Sequence, residues 1–231
     1  MFVVGVCAGP DKYQRILAPT VPLIEEPDTT VIVLRGQTSI ATAYNTILSS
    51  AQGAEGVVLV HDDLEFLDPK TLPKLRAAFA DPDVAVAGVV GGRDVTSLLW
   101  WRGTHVGGAY EERDGTVTSE FNQQGLADTV DGIFLALSPW SIEHLRFDVR
   151  YGGFHAYDAD ICAQARAAGK RVVTLDIAVL HHVTSRRGGK WRRADYLWRA
   201  RWVPMSRARR FLLRLRAAGL QWEYRLRSLE W

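Results

Sequence analysis

Cysteine is nearly absent: Cys7 and Cys162 are the only two among 231 residues, and no CxxC pair exists. That scarcity excludes a disulfide scaffold and a cysteine-built zinc site, and makes a reducing cytosol the expected compartment. Long hydrophobic runs are missing too. Nothing approaches the roughly 18–20 consecutive apolar residues of a membrane span, and the opening run Phe2–Cys7 lacks the basic flank of a signal peptide. Internal repeats and low-complexity stretches are also lacking. With 47% hydrophobic and 23% charged residues, the chain is neither collagen-like, coiled-coil nor wholly disordered. Its length suits one α/β domain, alone or with an appendage.

What is present is an uneven charge. Residues 1–185 hold 14 basic and 23 acidic residues, a net −9, whereas 186–231 hold 14 basic and 3 acidic, a net +11. Five of the eight tryptophans (Trp191, Trp198, Trp202, Trp222, Trp231) lie in that last segment. Thirteen of its basic residues are arginine and one is lysine, a bias suited to phosphate contacts and to stacking on rings. The sequence thus divides into an acidic body, 1–185, and a basic, aromatic, helix-prone tail, 186–231, with the boundary at the Arg186–Gly189 turn. Gly188-Gly189, Pro204 and Gly219 are expected to break the tail.

Apolar patterning in the body alternates strand and helix. Phe2–Cys7, Thr30–Leu34, Gly56–Val60 and Val84–Val90 read as buried strands, and Ser39–Ala51 as a helix. Asp68-Pro69 has the form of a helix start, with the helix running to about Phe79. Asp114-Gly115 suits a hairpin turn inside the glycine-rich stretch Gly91–Asn122. Thr129–Leu137 reads as a strand, Ser138–Leu145 as a short helix, and Asp158–Ala168 as a helix. Arg171–Leu180 reads as a strand that closes on His181-His182. This order predicts a mostly parallel sheet with helices on both faces.

Four segments carry candidate chemistry. His61-Asp62-Asp63 ends a buried strand, the edge of an α/β sheet where ligands bind; carboxylates there can hold a divalent cation, or simply face water. Tyr157-Asp158-Ala159-Asp160 opens a helix. One carboxylate there suits a cap, and another can act as general base toward a hydroxyl. His181-His182 closes a strand, and neighbouring side chains on a strand point to opposite faces; one is therefore the better metal ligand, the other packed or at the surface. The Arg/Trp tail suits an anionic membrane, a second subunit, or docking on the acidic body. Nucleic acid is disfavoured, because that body repels it.

Together these segments resemble the family 2-like glycosyltransferases of GT-A fold, nearest to the streptomycin-biosynthesis-type glycosyltransferase-like domain. The carriers are Ala43-Tyr44-Asn45, Val58–Asp63, Val130-Asp131-Gly132, Phe147-Asp148, Gly153–Cys162 and Val179–His182, spread over residues 1–185. The stretch Phe154-His155-Ala156-Tyr157-Asp158-Ala159-Asp160 is the most specific. The family's strand-end motif is Asp-x-Asp; here His61 stands in its first place and Asp63 in its metal-holding place. Arg35-Gly36-Gln37 stand where the family places a base-gripping Asp.

The resemblance implies a Rossmann-like GT-A domain with the basic helical tail added. It also implies transfer of a sugar from a nucleotide-diphosphate sugar to an acceptor hydroxyl, with inversion, Asp158 acting as general base. Asp63 with His181 or His182 would hold Mn²⁺ or Mg²⁺, and Asn45, Asp62, Asp131 and Gly132 would meet the nucleotide sugar. Trp100, Trp101 and Phe154 are candidates for sugar-facing rings or for the core. The acceptor class stays open among glycans, lipid-linked and small molecules. For the tail, residues 190–231 are expected to attach the chain to the inner face of the cell membrane through Trp191, Trp198 and Trp202, or to join two copies. Three rivals share these residues: a nucleotidyltransferase, a phosphohydrolase, and a degenerate GT-A binding module that grips membrane or nucleic acid through its tail.

Overall fold

A computed structural model describes residues 1–183 and 189–227. The expected break at Arg186-Arg187-Gly188 and the tryptophan at 231 lie outside the described residues. Among the described residues six α-helices and thirteen strands follow one another. Five strands of the main sheet run in one direction: β1 (Phe2–Ala8), β2 (Thr30–Arg35), β3 (Gly56–Val60), β5 (Val84–Gly88) and β12 (Arg171–Thr174). Two run against them: β11 (Phe134–Leu137), between β3 and β5, and β9 (Gly125–Ala127), at the edge.

Strand residues alternate between two cores, as their period of two requires. Val3 points to one face and Phe2, Val4 and Val6 to the other. On the first face lie α1 (Ile40–Ser50), α3 (Pro139–His144) and α4 (Tyr157–Ala167). The apolar positions of α1, Ile40, Tyr44, Ile47 and Leu48, follow helical spacing, and its start is capped by Ser39, whose hydroxyl accepts from Thr42 N at 3.4 Å. On the second face lies α2 (Thr71–Phe79) with a smaller sheet. That sheet runs β10 (Thr129–Val130), β6 (Val90–Arg93), β7 (Thr104–Arg113), β13 (Val179–His182), β4 (Leu64–Phe66), with β8 (Thr116–Phe121) also paired to β7. Asp114 and Gly115 turn the β7–β8 hairpin, both with positive φ (52° and 81°).

Three expected strands are each two. Val84–Val90 divides into β5 and β6, Thr129–Leu137 into β10 and β11, and Arg171–Leu180, with the His181-His182 that closes it, into β12 and β13. In every case the chain leaves the main sheet for the smaller one or enters from it. Apolar runs of this kind are continuous in both sheets, so their composition hides the crossing. β4 was not expected at all, since the acidic turn at 61–63 masks the short run that follows.

The tail is two helices, α5 (Gly189–Trp202) and α6 (Arg207–Arg227), separated near Pro204 as expected. Gly219 does not break α6. A mid-helix glycine costs only about 1 kcal/mol, which the flanking helix formers offset. Among the described residues no helix is long and apolar enough to cross a membrane.

α5 lies on the body. Ala194 and Trp198 form a third core with Leu98, Tyr151, Ala156 and Ala159, with Trp191 and Trp202 packed against it. The residues at 191, 194, 195, 198 and 202 recur at helical spacing, so α5 presents one stripe inward. Trp198 is 5% exposed, which corrects its expected place in a lipid headgroup layer. Trp198→Ala should therefore lower the stability of the whole chain by about 3 kcal/mol, the scale of a buried aromatic truncation. Thermal unfolding checks this; an unchanged melting temperature would mean that α5 is an independent appendage.

Candidate active site and metal centre

The carboxyl ends of β1, β2 and β3 open into a cleft of about 790 Å³, lined among others by Gly9, Lys12, Arg35, Asp63, Asp131 and Asp158. This is the edge where an α/β sheet leaves backbone and side chains free to meet a ligand. Two carboxylate groups in it are tuned in opposite directions.

The first is Asp63, in the turn that leaves β3. It is buried, and its neighbours come from separate segments. Lys12 Nζ lies 2.8 Å from Oδ2. His181 Nε2 and His61 Nδ1 lie 3.5 and 3.8 Å from Oδ1. Burial alone would raise the Asp63 pKa, but the His181 hydrogen bond and the His61 and Lys12 contacts hold it far below the usual carboxylate range. The same environment splits the histidines: burial and the charge on His181 push His61 down, whereas Asp63 raises His181 against its own burial.

One ligand atom from each of His61, Asp63 and His181 can be chosen so that all lie within 4.8 Å of one another. A first-row dication holds nitrogen and oxygen at about 2.0–2.2 Å, so adjacent ligand atoms around it stand about 3–3.5 Å apart. The 3.5 and 3.8 Å from Asp63 to His181 and His61 approach that value, and the donor set fits a divalent ion. The Tyr157 hydroxyl lies 2.7 Å from His61 Nε2. With Nε2–H donating to it, the Nδ1 lone pair of His61 turns toward Asp63.

The second is Asp158, in the first turn of α4. Gly132 N donates to its Oδ2 at 3.1 Å. Burial, then the negative charge of Asp131, push its pKa up to about 7, against backbone N–H bonds from Ala159 and Gly132. Asp131 is itself held by Trp100 Nε1 at 2.9 Å and Ile133 N at 3.1 Å. A carboxyl poised near neutrality can take a proton from a hydroxyl.

Of the residues singled out from the sequence, the cleft brings together Asp62, Asp63, Asp131, Asp158 and His181. Asp62 faces the β1 end, where Gly9 N donates to its Oδ2 at 2.6 Å. Trp100, Trp101 and Phe154 line the cleft too, Phe154 being exposed. Of the histidine pair only His181 turns to Asp63, as one of the two was expected to, and Asn45 and Gly132 stand away from the cleft lining. The His182 side chain points to the other face of β13, with Nδ1 2.9 Å from Glu112 and Nε2 2.6 Å from Glu65, so its ring does not join the Asp63 carboxylate. Asn45 lies outside the cleft and spends its amide on Phe147, donating to O at 2.9 Å and accepting from N at 2.8 Å. Gly132 is a spacer behind the wall: a Cβ there would stand 2.0 Å from the Tyr157 hydroxyl.

Sequence reasoning missed several contributors. His61 stands where the family motif has Asp, yet its ring completes the cluster. Lys12 sits in a loop that reads poorly as a phosphate loop. Trp191 reaches the cleft from α5. Asp160, expected as a helix-start charge of minor effect, is fully buried and accepts from Trp202 Nε1 (2.6 Å), Gln164 Nε2 (2.7 Å), Tyr151 Oη (2.8 Å) and Arg201 Nη1 (3.1 Å). It fastens α5 to the helix that carries Asp158.

Known proteins give this chain a family and a fold. The chain is 33% identical over 221 residues, 89% of its length and 76% of the relative's, to the streptomycin biosynthesis protein StrF of Streptomyces griseus. Its fold is similar to that of a mannosyltransferase from Pyrobaculum calidifontis solved with GDP-Man and Mn²⁺ (TM-score 0.53, 14% identity, 95% of this chain and 73% of that one). It is also similar to GalNAc-T7 solved with UDP, GalNAc and Mn²⁺ (TM-score 0.57, 11% identity, 85% of this chain and 47% of that one). These structural likenesses show the GT-A fold, to which this chain adds the helices α5 and α6. The model of a glycosyltransferase-like family matches residues 18–191, three quarters of the chain, and to that family the chain belongs.

Proposed function

We propose that the protein transfers a sugar from a nucleotide-diphosphate sugar to an acceptor hydroxyl, inverting the anomeric carbon. The observation that carries this reading is the single cleft holding both Asp63, kept ionised among His61, His181 and Lys12, and Asp158, kept near neutrality. Asp158 takes the proton of the acceptor hydroxyl as that oxygen forms its bond to the anomeric carbon. The bond from that carbon to the diphosphate oxygen breaks, and the electron pair leaves with the nucleoside diphosphate. Displacement in one step places acceptor and leaving group on opposite sides of the carbon, hence inversion.

His61, Asp63 and His181 would hold the divalent cation, which supplies positive charge against the diphosphate when bound. Two imidazoles favour Mn²⁺ over Mg²⁺, which prefers oxygen ligands. Lys12 places a fixed cation beside the same carboxylate. Asp62 and Asp131 shape the donor side, while Trp100, Trp101, Phe154 and Trp191 give the acceptor flat apolar faces. Such a lining suits the ring of a glycan, a lipid-linked sugar or a small cyclic acceptor. The reading places the chain in the cytoplasm, at the inner face of the membrane. It divides the chain functionally near Pro204 rather than at 185, since α5 builds the cleft wall.

Asp63→Ala should abolish Mn²⁺-dependent binding of UDP or GDP, and His61→Ala and His181→Ala should each weaken it at least about tenfold. His182→Ala should leave it unchanged. Calorimetry checks all four, and unchanged affinity in the Asp63 variant would remove the cluster from the site.

Asp158→Asn should keep donor binding and lose transfer by at least about 10²-fold. Because the base must be ionised, transfer should rise with pH through about 7. Asp131→Asn, which removes a like charge, should move that rise to lower pH. The folded-state pKa lies above the unfolded one, so ionising Asp158 costs stability as pH climbs from about 4 to 7. Asp158→Asn should consequently raise the melting temperature at pH 8 and leave it unaltered near pH 4. Hydrolysis of simple phosphate esters without any nucleotide would favour the phosphohydrolase alternative instead.

A further inference from the structure

α6 packs along α5, burying Leu213 and Ala217, and Arg193 Nη2 of α5 donates to Gln221 at 3.2 Å. Among the described residues nothing covers its opposite face. Phe211, Leu212 and Leu215 are 60, 54 and 51% exposed, among the most exposed large apolar side chains described. At about 100° per residue, Ala208, Phe211, Leu212 and Leu215 share one arc of the helix. Arg207 and Arg214 border that arc on one side, Arg209 and Arg216 on the other, and all four are exposed. An apolar ridge between two rows of arginine matches the layering of a bilayer surface, where acyl chains begin below a plane of phosphates.

We propose that this face of α6 docks on a membrane surface containing anionic lipid. Phe211, Leu212 and Leu215 enter the headgroup layer while Arg207, Arg209, Arg214 and Arg216 meet lipid phosphates. A second copy of the chain fits less well, because pairing two such faces about a two-fold axis brings arginine rows against each other. A nucleic acid would neutralise the arginines but leave the apolar ridge in water. This extends the membrane-face placement proposed above, and it does not depend on the transfer reaction. Because α5 carries Trp191 into the cleft wall, docking through α6 ties the cleft to the lipid surface.

The test is co-sedimentation of the full chain with vesicles of phosphatidylcholine, with and without phosphatidylglycerol. The chain should pellet with the mixed vesicles at about 0.1 M salt and leave them near 1 M, where screening is about threefold shorter in range. Replacing Phe211, Leu212 and Leu215 by Ser together should weaken binding at least about tenfold. Replacing the four arginines by Gln should weaken it about 10²-fold and remove the lipid preference. Both variants should keep the parent melting temperature and UDP or GDP affinity, which separates this result from any failure of the transfer reading. Absence of binding to mixed vesicles, or equal binding by either variant, overturns the proposal. So does conversion of a dimeric parent into a monomeric Ser variant, which assigns the face to a second copy. Retention on duplex nucleic acid with vesicles ignored overturns it as well.

Discussion

A carboxylate taken out of water must find its compensation within the protein, and Asp63 is such a group at 6% exposure. No single segment supplies enough. Lys12 comes from the loop after β1, His61 from the end of β3, and His181 from β13 in the other sheet. The backbone makes the same junction, because His182 N donates to Asp63 O at 2.9 Å and His61 N to Ile133 O at 3.1 Å. The place where the two sheets meet is therefore the place where cationic and imidazole groups converge. Fold and candidate metal centre are one arrangement, and neither persists if the pairing of β13 with β4 slips by one residue. Such a slip would turn His182 inward and His181 away.

Across the cleft the same forces act with the opposite outcome. Asp158 has burial and a like-charged neighbour, Asp131, where Asp63 has cations and imidazoles. Two carboxylates driven apart in proton affinity can divide the work between them, one staying charged and one exchanging a proton. Holding Asp158 there requires an unusual approach to α4. Ala156, just before the helix, has φ +65° and is buried, a conformation that a non-glycine residue keeps only when its surroundings enforce it. Those surroundings include α5: Asp160, two residues beyond Asp158, is gripped by Trp202 and Arg201, and Ala156 itself packs near Trp198. The charge split of the sequence has a structural meaning here, since part of the basic tail binds the acidic body.

Much of this was legible from residue order. Buried runs ending in His61-Asp62-Asp63 and His181-His182, and a helix opening on Tyr157-Asp158, located the cleft because strand ends and helix starts are marked by local composition. The period-two rule also separated the two histidines in principle, but which one turns inward depends on register, and register is set by pairing with β4 and β7. Asn45 is a nucleotide-sugar contact only by the family resemblance; its amide satisfies the backbone of Phe147, a partner 102 positions away that spacing cannot reveal. The crossings between sheets were invisible for the same reason: Val, Ile and Leu are equally at home on both sides of each crossing. The inward stripe of α5 follows helical spacing, yet tryptophans at that spacing suit a lipid interface as well as a protein core. Only the acceptors waiting on the body, Asp160 and Asp148, decide between them.

The account rests on the claim that His61, Asp63 and His181 hold a divalent cation against the donor diphosphate. Pulsed electron paramagnetic resonance of the Mn²⁺-loaded protein with UDP or GDP tests it most directly. The account predicts nitrogen couplings from two imidazoles together with phosphorus couplings from the diphosphate. One nitrogen coupling should disappear in His61→Ala and the other in His181→Ala, while His182→Ala changes neither. Phosphorus couplings without any imidazole nitrogen, or a nitrogen signal that vanishes in His182→Ala, would contradict it.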